Sequence, residues 1–230
     1  HYEEGRWNLA VDILLNAPVG EKEVEDKIDG LVRGYVSAWD PVKQEEVWRI
    51  QHAGSWNGGM LSTAGNLIFQ GNSAGEMRAY RADTGEQLWS MPAQTGVIAP
   101  PISYSVDGEQ YIAVVAGWGG AFALAAGGAA EKLNQKNRGR ILAYKLGGTD
   151  KLPPIPVSAP IPAPPEQKAT AQQIADGKVM YHRYCGVCHG PGVKGGGVLP
   201  DLRHMQPAKY LAFKEIVIDG LLKDRGMVGF

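Results

Sequence analysis

Hydrophobic and polar residues alternate over short stretches in the first 150 residues of the chain. NLIFQ (66–70) and MRAYR (77–81) alternate in this way, which is typical of strands that are buried on one face. Turn-forming residues such as NSAG and ADTG separate the stretches. The pattern predicts four strands in about 40 residues, and their sequences are GMLST, NLIFQG, EMRAYR and QLWSM.

This four-stranded pattern belongs to a repeat. AWDPVKQEEVW (38–48) aligns with AYRADTGEQLW (79–89) at a spacing of 41 residues, and GEMRAY (75–80) matches GRILAY (139–144). A four-stranded unit at this period is typical of a β-propeller blade. Residues 1–150 hold about three such units, and we expect the other blades to lie upstream.

A proline-rich stretch, KLPPIPVSAPIPAPPEQKA, interrupts the strand pattern at 151–169. Proline fixes φ and lacks the amide donor, so this stretch is predicted to be an extended connector. A helix is then predicted with Thr170 and Gln173 as its capping box, and a second begins near Pro207. In that second helix we expect burial of four side chains: Tyr210, Phe213, Val217 and Leu221. The chain therefore divides into residues 1–150, 151–169 and 170–230.

Composition limits the classes of partner. The chain is 44% hydrophobic and 20% charged, and its formal net charge is -1. No long basic run is present, so no nucleic-acid partner is expected. No apolar run approaches the roughly 18 residues of a membrane helix. The acidic stretch EKEVEDKID (21–29) is predicted to be a solvated loop, and we expect the true start of the protein to precede His1.

The chain has two cysteines, and they form the motif Cys185-Gly-Val-Cys188-His189. This is the attachment motif of c-type haem. Thiols at this spacing can each bond one vinyl group, which holds the adjacent imidazole beneath the iron, so His189 is predicted to be the proximal ligand. One alternative is a zinc site formed by Cys185, Cys188 and either His189 or His204, although no second cysteine pair is present. A dithiol redox motif is another, although that motif normally follows a strand.

The residues after the motif favour haem. GPGVKGGGVLPDL lets the backbone pass close to a flat ligand. It ends at Pro200, in a segment that resembles the one in cytochromes c whose proline carbonyl orients the proximal imidazole; alternatively, Pro200 only ends a loop. Met227 is predicted to be the distal ligand, because GMVGF resembles the distal-methionine segment of this cytochrome family. Met205, which lies closer to the motif, is the alternative.

The propeller repeat also resembles a known family. The pattern A-x-D-x₇-W, with Thr84-Gly85 in one copy, is similar to the tryptophan-docking repeats of alcohol dehydrogenases that use pyrroloquinoline quinone. With the haem motif, the resemblance covers nearly the whole chain and points to the C-terminal part of a quinohaemoprotein alcohol dehydrogenase. Arg81 and Lys43-Gln44 depart from the pattern and should weaken individual turns. The resemblance implies an incomplete all-β propeller followed by a small all-α cytochrome c domain, truncated at its C-terminus.

The resemblance implies roles for several residues. The W-N-G-G segment of the family lines the quinone, so Trp56 and Asn57 are expected to contact it, and Trp118 in GWGG is expected nearby. Trp48 and Trp89 occupy the repeat position, where large aromatic side chains pack between blades. Alternatively, Trp56 is an ordinary core aromatic and Asn57 a turn residue.

The implied reaction is the oxidation of an alcohol to an aldehyde or ketone, with haem c, pyrroloquinoline quinone and Ca²⁺ as cofactors. Electrons would pass through the haem to an external acceptor, either a small redox protein or a membrane quinone-reducing subunit. A catalytic base and calcium ligands are expected on other blades, and none is identifiable here. The family resemblance implies a periplasmic location. The competing hypothesis is a non-catalytic propeller scaffold joined to an electron-transfer cytochrome.

Overall fold

The computed structural model describes residues 33–52, 54, 56–119, 137–156 and 159–230. The acidic stretch 21–29 lies outside these residues. Residues 120–136, which follow Trp118 in the predicted propeller part, also lie outside the described residues.

Nine strands form three antiparallel sheets in the described part of the chain. Sheet 1 has two strands, sheet 2 has four and sheet 3 has three, and each pairs neighbours in chain order within its described residues. The strands are β1 (Gly34–Asp40), β2 (Glu45–His52), β3 (Met60–Thr63), β4 (Leu67–Gly71), β5 (Glu76–Arg81), β6 (Gln87–Pro92), β7 (Ile102–Val106), β8 (Glu109–Ala116) and β9 (Arg140–Lys145).

Sheet 2 confirms the predicted four-stranded unit. Its strands run in the order β3-β4-β5-β6, and the meander is the arrangement of a propeller blade. Repeat-equivalent alanines lie opposite the two tryptophans, with Ala38 paired to Trp48 and Ala79 paired to Trp89. The register shifts directly after both alanines. The repeat in sequence is therefore a repeat in backbone geometry.

The repeat tryptophans join successive sheets, as predicted. Trp48 Nε1 donates a hydrogen bond of 3.0 Å to the carbonyl of Ala82, which lies in the turn of sheet 2. The backbone of Gly85 in that turn lies so close to the indole that a Cβ there would be 2.8 Å from a ring atom. Trp89 meets Tyr144 of sheet 3 edge to face, with ring centroids 5.1 Å apart.

The described core lies between sheets 2 and 3. It contains Met77 and Val97, which are fully buried, and Val114, which is nearly so. Leu152, at the start of the proline-rich stretch, packs against this cluster. Neither helix nor strand forms in the described residues 151–156 and 159–168 of that stretch, in agreement with the prediction.

Short helices follow, and we call residues 170–230 the helical unit. The capping box is confirmed, since Thr170 Oγ1 accepts from the Gln173 amide and the Gln173 side chain accepts from the Thr170 amide. Pro207 opens its helix as predicted. The α-helices are α1 (Ala171–Tyr184), α2 (Gly186–His189), α3 (Pro207–Leu211) and α4 (Phe213–Val217). None is long and apolar enough to cross a membrane.

The predicted burial after Pro207 is wrong in part. The helix breaks at Ala212, where φ is -90° and ψ is 20°. Phe213 is 56% exposed and Leu221 is 64% exposed, while Tyr210 and Val217 are half-buried. Spacing alone predicts a common face only for an unbroken helix, and the break rotates the later side chains away from it.

Candidate functional site

The end of α1 positions the two cysteines and the adjacent histidine. The amide of Cys185 donates to the carbonyl of Tyr181 and closes α1. Cys185 also accepts from the amides of Cys188 and His189, at 3.1 and 2.9 Å. A single helical turn therefore presents all three side chains, with Cys185 half-buried and Cys188 exposed.

His189 has a defined orientation. Its Nδ1 lies 3.0 Å from the carbonyl oxygen of Pro200, so the imidazole donates from Nδ1 and leaves Nε2 for another ligand. Asp201 and Arg203 form an ion pair directly after this carbonyl, at 2.6 Å. Burial raises the pKa of Asp201, but hydrogen bonds from Arg203 outweigh it and hold that pKa below its usual value. The carboxylate therefore stays charged and keeps the turn closed.

The two cysteine thiols have different environments. Burial, and next the neighbouring Cys188, raise the pKa of the Cys185 thiol. Within the residues that the structure describes, no three His, Cys, Asp or Glu side chains gather as metal ligands.

The segment that carries Met227 folds back onto α1. The Phe230 amide donates to the carbonyl of Val217 at 2.9 Å. The Phe230 ring meets that of Tyr184, the residue before the first cysteine, with centroids 5.7 Å apart. Met227 is half-buried in this returning segment. Met205 is also half-buried and ends the turn that follows Pro200.

The helical unit contains a buried histidine that sequence reasoning missed. His182 lies at 7% exposure on α1. Its Nδ1 donates to the carbonyl of Lys178 at 2.7 Å, and its Nε2 accepts from the amide of Gly192 at 3.1 Å. The imidazole therefore ties α1 to the glycine-rich loop. The spacing of apolar residues carries no signal for such a bridge.

Three glycine-rich segments meet at the inner ends of sheets 2 and 3. The Gly58 amide donates to Gly71 at 2.9 Å, and a Cβ on Gly71 would overlap the side chain of Val97. Val97 pairs with Gly117, whose amide donates to Gly96 at 2.7 Å. The structure therefore brings the W-N-G-G segment close to the strand that ends before Trp118.

The three predicted quinone contacts have different environments. Trp56 is 50% exposed and has a positive φ of 61°, a conformation that tryptophan rarely adopts. Asn57 donates from Nδ2 to the Gly54 carbonyl at 3.0 Å and accepts at Oδ1 from the Ser73 amide. Trp118 is fully buried against Gly96. Of the three, Trp56 has the most surface to offer a ligand.

A buried pair supports the W-N-G-G segment. Gln70 accepts from His52 Nε2 at 2.9 Å and donates to the carbonyl of Gly58 at 2.9 Å. Burial lowers the pKa of His52, and the hydrogen bond with Gln70 opposes this only in part. A neutral His52 therefore holds the glutamine that holds the loop. These two residues were absent from the sequence-based predictions, because they lie on different strands.

Known proteins resemble the chain over both its sheets and its helical unit. A family profile described as "PQQ: Glucose/ethanol/alcohol dehydrogenase, beta-propeller domain" matches residues 30–112. The chain is 44% identical over 220 residues to the quinohemoprotein alcohol dehydrogenase ADH IIB of Pseudomonas putida, across 94% of this chain and 31% of the relative. It is 39% identical over 226 residues to the dehydrogenase subunit of the alcohol dehydrogenase (quinone) of Acetobacter aceti, across 97% of this chain and 30% of that protein.

Solved structures give the same result. The quinohemoprotein alcohol dehydrogenase ADHIIG of Pseudomonas putida HK5 matches with a TM-score of 0.78 at 46% identity, over 86% of this chain and 29% of that one. The quinohemoprotein alcohol dehydrogenase of Comamonas testosteroni matches with a TM-score of 0.66 at 36% identity, over 86% of this chain and 28% of that one. The chain spans less than a third of the length of these relatives.

Proposed function

The chain belongs to the family of the quinohaemoprotein alcohol dehydrogenases, and from this we propose that it forms the haem-binding unit and part of the quinone site of an enzyme that oxidises alcohols. The observation that carries the proposal is the helix end at Cys185–His189, where His189 donates from Nδ1 to the Pro200 carbonyl. A histidine held in this way presents Nε2 as a metal ligand in a fixed direction.

The exposed apolar side chains of the helical unit are compatible with a bound haem that would complete its core. No described hydrophobic side chain between residues 170 and 230 is fully buried. Several remain about half exposed or more, and they include Ile174, Val179, Tyr184 and Val228. Exposed apolar surface of this extent favours a large apolar ligand. We propose that Cys185 and Cys188 form the two thioethers and that the small unit is a cytochrome c domain.

Met227 is proposed as the sixth ligand of the haem iron. Its segment returns to the end of α1 through the contact between Phe230 and Tyr184. Phe230 lies three residues after Met227, and Tyr184 directly precedes Cys185. Because a thioether is a weak donor, ligation by His189 and Met227 raises the reduction potential. The domain would then accept electrons from an organic donor.

On the propeller side, Trp56, Asn57 and Trp118 are proposed to flank pyrroloquinoline quinone. The half-exposed Trp56 ring would cover a planar ligand, and the buried Trp118 would shape the pocket from behind. Pyrroloquinoline quinone, when bound with Ca²⁺, supplies a two-electron acceptor for the alcohol, and haem supplies a one-electron relay. We assign neither the catalytic base nor a calcium ligand to this chain.

The proposal extends to partners and location. Alcohols are the substrates, and the electrons leave the haem for a small redox protein or a quinone-reducing membrane subunit. One relative is named as a dehydrogenase subunit and another as "1-butanol dehydrogenase (cytochrome c)", which supports both kinds of acceptor. We propose a periplasmic location, where c-type haem is attached.

A second candidate is a scaffold without quinone. Two observations favour it. Both polar atoms of the Asn57 side chain form hydrogen bonds within the chain, and the backbone of Gly96 lies against the Trp118 ring. In that case Trp56 and Asn57 would only shape the loop, and the helical unit would relay electrons between other proteins.

Rapid mixing of the full-length protein with a primary alcohol tests the proposal. With quinone and Ca²⁺ bound, we expect the haem absorbance to change to that of the reduced form, and quinone to quench Trp56 fluorescence. Trp56→Ala should weaken quinone binding more than it lowers the melting temperature, whereas Trp89→Ala should do the reverse. Equal losses in the two variants, or no quinone binding at all, would favour the scaffold.

A further inference from the structure

Asn137 lies next to the proposed quinone loop. Its Oδ1 accepts a hydrogen bond of 2.9 Å from the backbone amide of Trp118. A Cβ on Gly117 would also lie 3.5 Å from this oxygen. Since Trp118 is fully buried, the side chain of Asn137 fixes the backbone at the point where the chain leaves β8.

The opposite side of Asn137 contacts the helical unit. Gly197 has a φ of +85°, and a Cβ there would lie 3.1 Å from both Cβ and the amide nitrogen of Asn137. Gly197 belongs to the glycine-rich loop that ends at Pro200, whose carbonyl orients His189. Only glycine fits this position without displacing Asn137 or straining the backbone.

The segment around Asn137 is itself held in place. The amide of Arg138 donates to Thr95 Oγ1 at 3.2 Å, and Thr95 is fully buried. Gln94, one residue earlier, accepts from Arg140 at 3.1 Å and donates to the carbonyl of Pro153 at 3.0 Å. The first residues of the proline-rich stretch are therefore tied to the same strand ends.

We infer that Asn137 is a positioning residue that joins the Trp118 loop to the loop of the helical unit, and thereby fixes the separation of the two redox centres. The inference rests on the proposed function, because it gives this contact its purpose. A fixed separation matters because electron transfer between two bound cofactors slows as the distance between them grows.

Gly197→Ala in the full-length protein tests the role in electron transfer. The matched control is Gly108→Ala, because Gly108 has a similar φ of +81° but nothing within 4 Å of its Cβ position. We expect Gly197→Ala to slow haem reduction after mixing with alcohol several-fold relative to Gly108→Ala. Reduction of an artificial dye that takes electrons directly from the quinone should fall much less than haem reduction does.

Asn137 is tested by two substitutions. Asn137→Ala removes the acceptor for the Trp118 amide and should slow haem reduction, whereas Asn137→Asp keeps an acceptor oxygen and should restore most of the rate. Haem reduction in Gly197→Ala equal to that in Gly108→Ala would overturn the inference, as would equal rates in Asn137→Ala and Asn137→Asp.

Trypsin digestion of the haem-loaded, quinone-free protein tests the contact without any activity. Lys194 lies in the loop beside Gly197, and Lys168, which is 83% exposed, serves as the internal reference. We expect cleavage after Lys194 to rise about three- to tenfold relative to Lys168 in both Gly197→Ala and Asn137→Ala. Unchanged cleavage would disprove the contact. Failure of the wild type to bind haem or quinone would instead disprove the proposed function.

Discussion

Buried polar side chains determine how the loops of the proposed quinone site are held. His52 reaches this site through Gln70, whose amide donates to the Gly58 carbonyl. Its Nδ1 has no partner among the described residues. A second proton on this ring would lie in the protein interior without an acceptor, which is costly. At the scale of single residues, the loop therefore depends on a neutral imidazole.

We predict that stability falls as pH falls below about 6.5, because of His52. Burial lowers its pKa in the folded state below the usual histidine value of about 6.5. The unfolded state therefore binds a proton that the folded state does not, and unfolding is favoured as pH falls through this range. Urea midpoints between about pH 5 and 7.5 measure the effect. In His52→Gln the urea midpoint should depend less steeply on pH. An unchanged pH dependence would assign the effect to another group.

We predict that Met227→Ala removes the sixth ligand of the iron. The reduced full-length protein should lose its low-spin spectrum and the sulfur-to-iron absorption band, because one axial position is left open. Met205→Ala is the control, since Met205 is also half-buried in the helical unit. If Met205→Ala abolishes these bands and Met227→Ala keeps them, Met205 is the ligand.

At the scale of elements, the two equivalent turns of the repeat are stabilised in different ways. In the turn after β1, Asp40 accepts from the amides of Val42 and Lys43. In the turn after β5, Arg81 replaces that aspartate, and the Gly85 amide donates to its carbonyl. Each copy therefore retains one part of the turn chemistry. That the departures from the repeat weaken individual turns stays a prediction.

We predict that introducing glycine at the first turn stabilises the protein and that removing glycine from the second turn destabilises it. Gln44 has a φ of 57° at the position equivalent to Gly85, whose φ is 75°. Gln44→Gly should stabilise by about 0.5–1 kcal/mol, because glycine adopts this conformation without strain. Gly85→Ala should destabilise by about 2–4 kcal/mol, since the new Cβ would also meet the Trp48 ring. Both changes are measured as the free energy of unfolding.

Gly147→Ala separates backbone strain from collision in this comparison. Gly147 has a φ of 76° and nothing within 4 Å of its Cβ position. Gly147→Ala should lower the free energy of unfolding by only about 1–2 kcal/mol. A loss in Gly147→Ala as large as that in Gly85→Ala would show that the Trp48 contact contributes nothing.

At the scale of the whole molecule, the sheets and the helical unit are stabilised by different means. Sheets 2 and 3 share a buried cluster that includes Met77 and Val97. The helical unit has His182 as its buried side chain on α1, and its described apolar side chains are all at least partly exposed. The sheets therefore have a core of their own, whereas in the proposed function a bound haem would complete the core of the helical unit.

We predict that replacing both cysteines with alanine unfolds the helical unit and leaves the propeller part folded. Without covalent haem, the apolar side chains of α1 and α4 lose their cover, so amide exchange there should become fast and a hydrophobic dye should bind. Amides of sheet 2 should stay protected. Thr170→Ala is the control, since it removes only a helix cap worth about 1 kcal/mol. Retained protection in α1 of the cysteine variant would contradict the haem-core proposal.

Much of the fold could be predicted because its signals are local. Strand alternation, the 41-residue repeat, the capping box and the C-x-x-C-H motif each depend on spacing within one or two elements. The helix after Pro207 was predicted less well, because the break at Ala212 leaves no mark in the spacing of apolar residues. Where the sequence carries a period, the structure follows it.

Spacing along the chain is enough to predict which residues form blades, which connect them and which carry the cysteine motif. The packed fold is needed to show that Asn57 donates to the Gly54 carbonyl and that His52 reaches Gly58 through Gln70. It is also needed to show that Asn137 lies between two loops. His52 and Gln70 are 18 residues apart, and Asn137 and Trp118 are 19 apart. Such contacts are absent from any local pattern because they form only when separate strands pack together, and it is the packed strands that set the directions of their polar side chains.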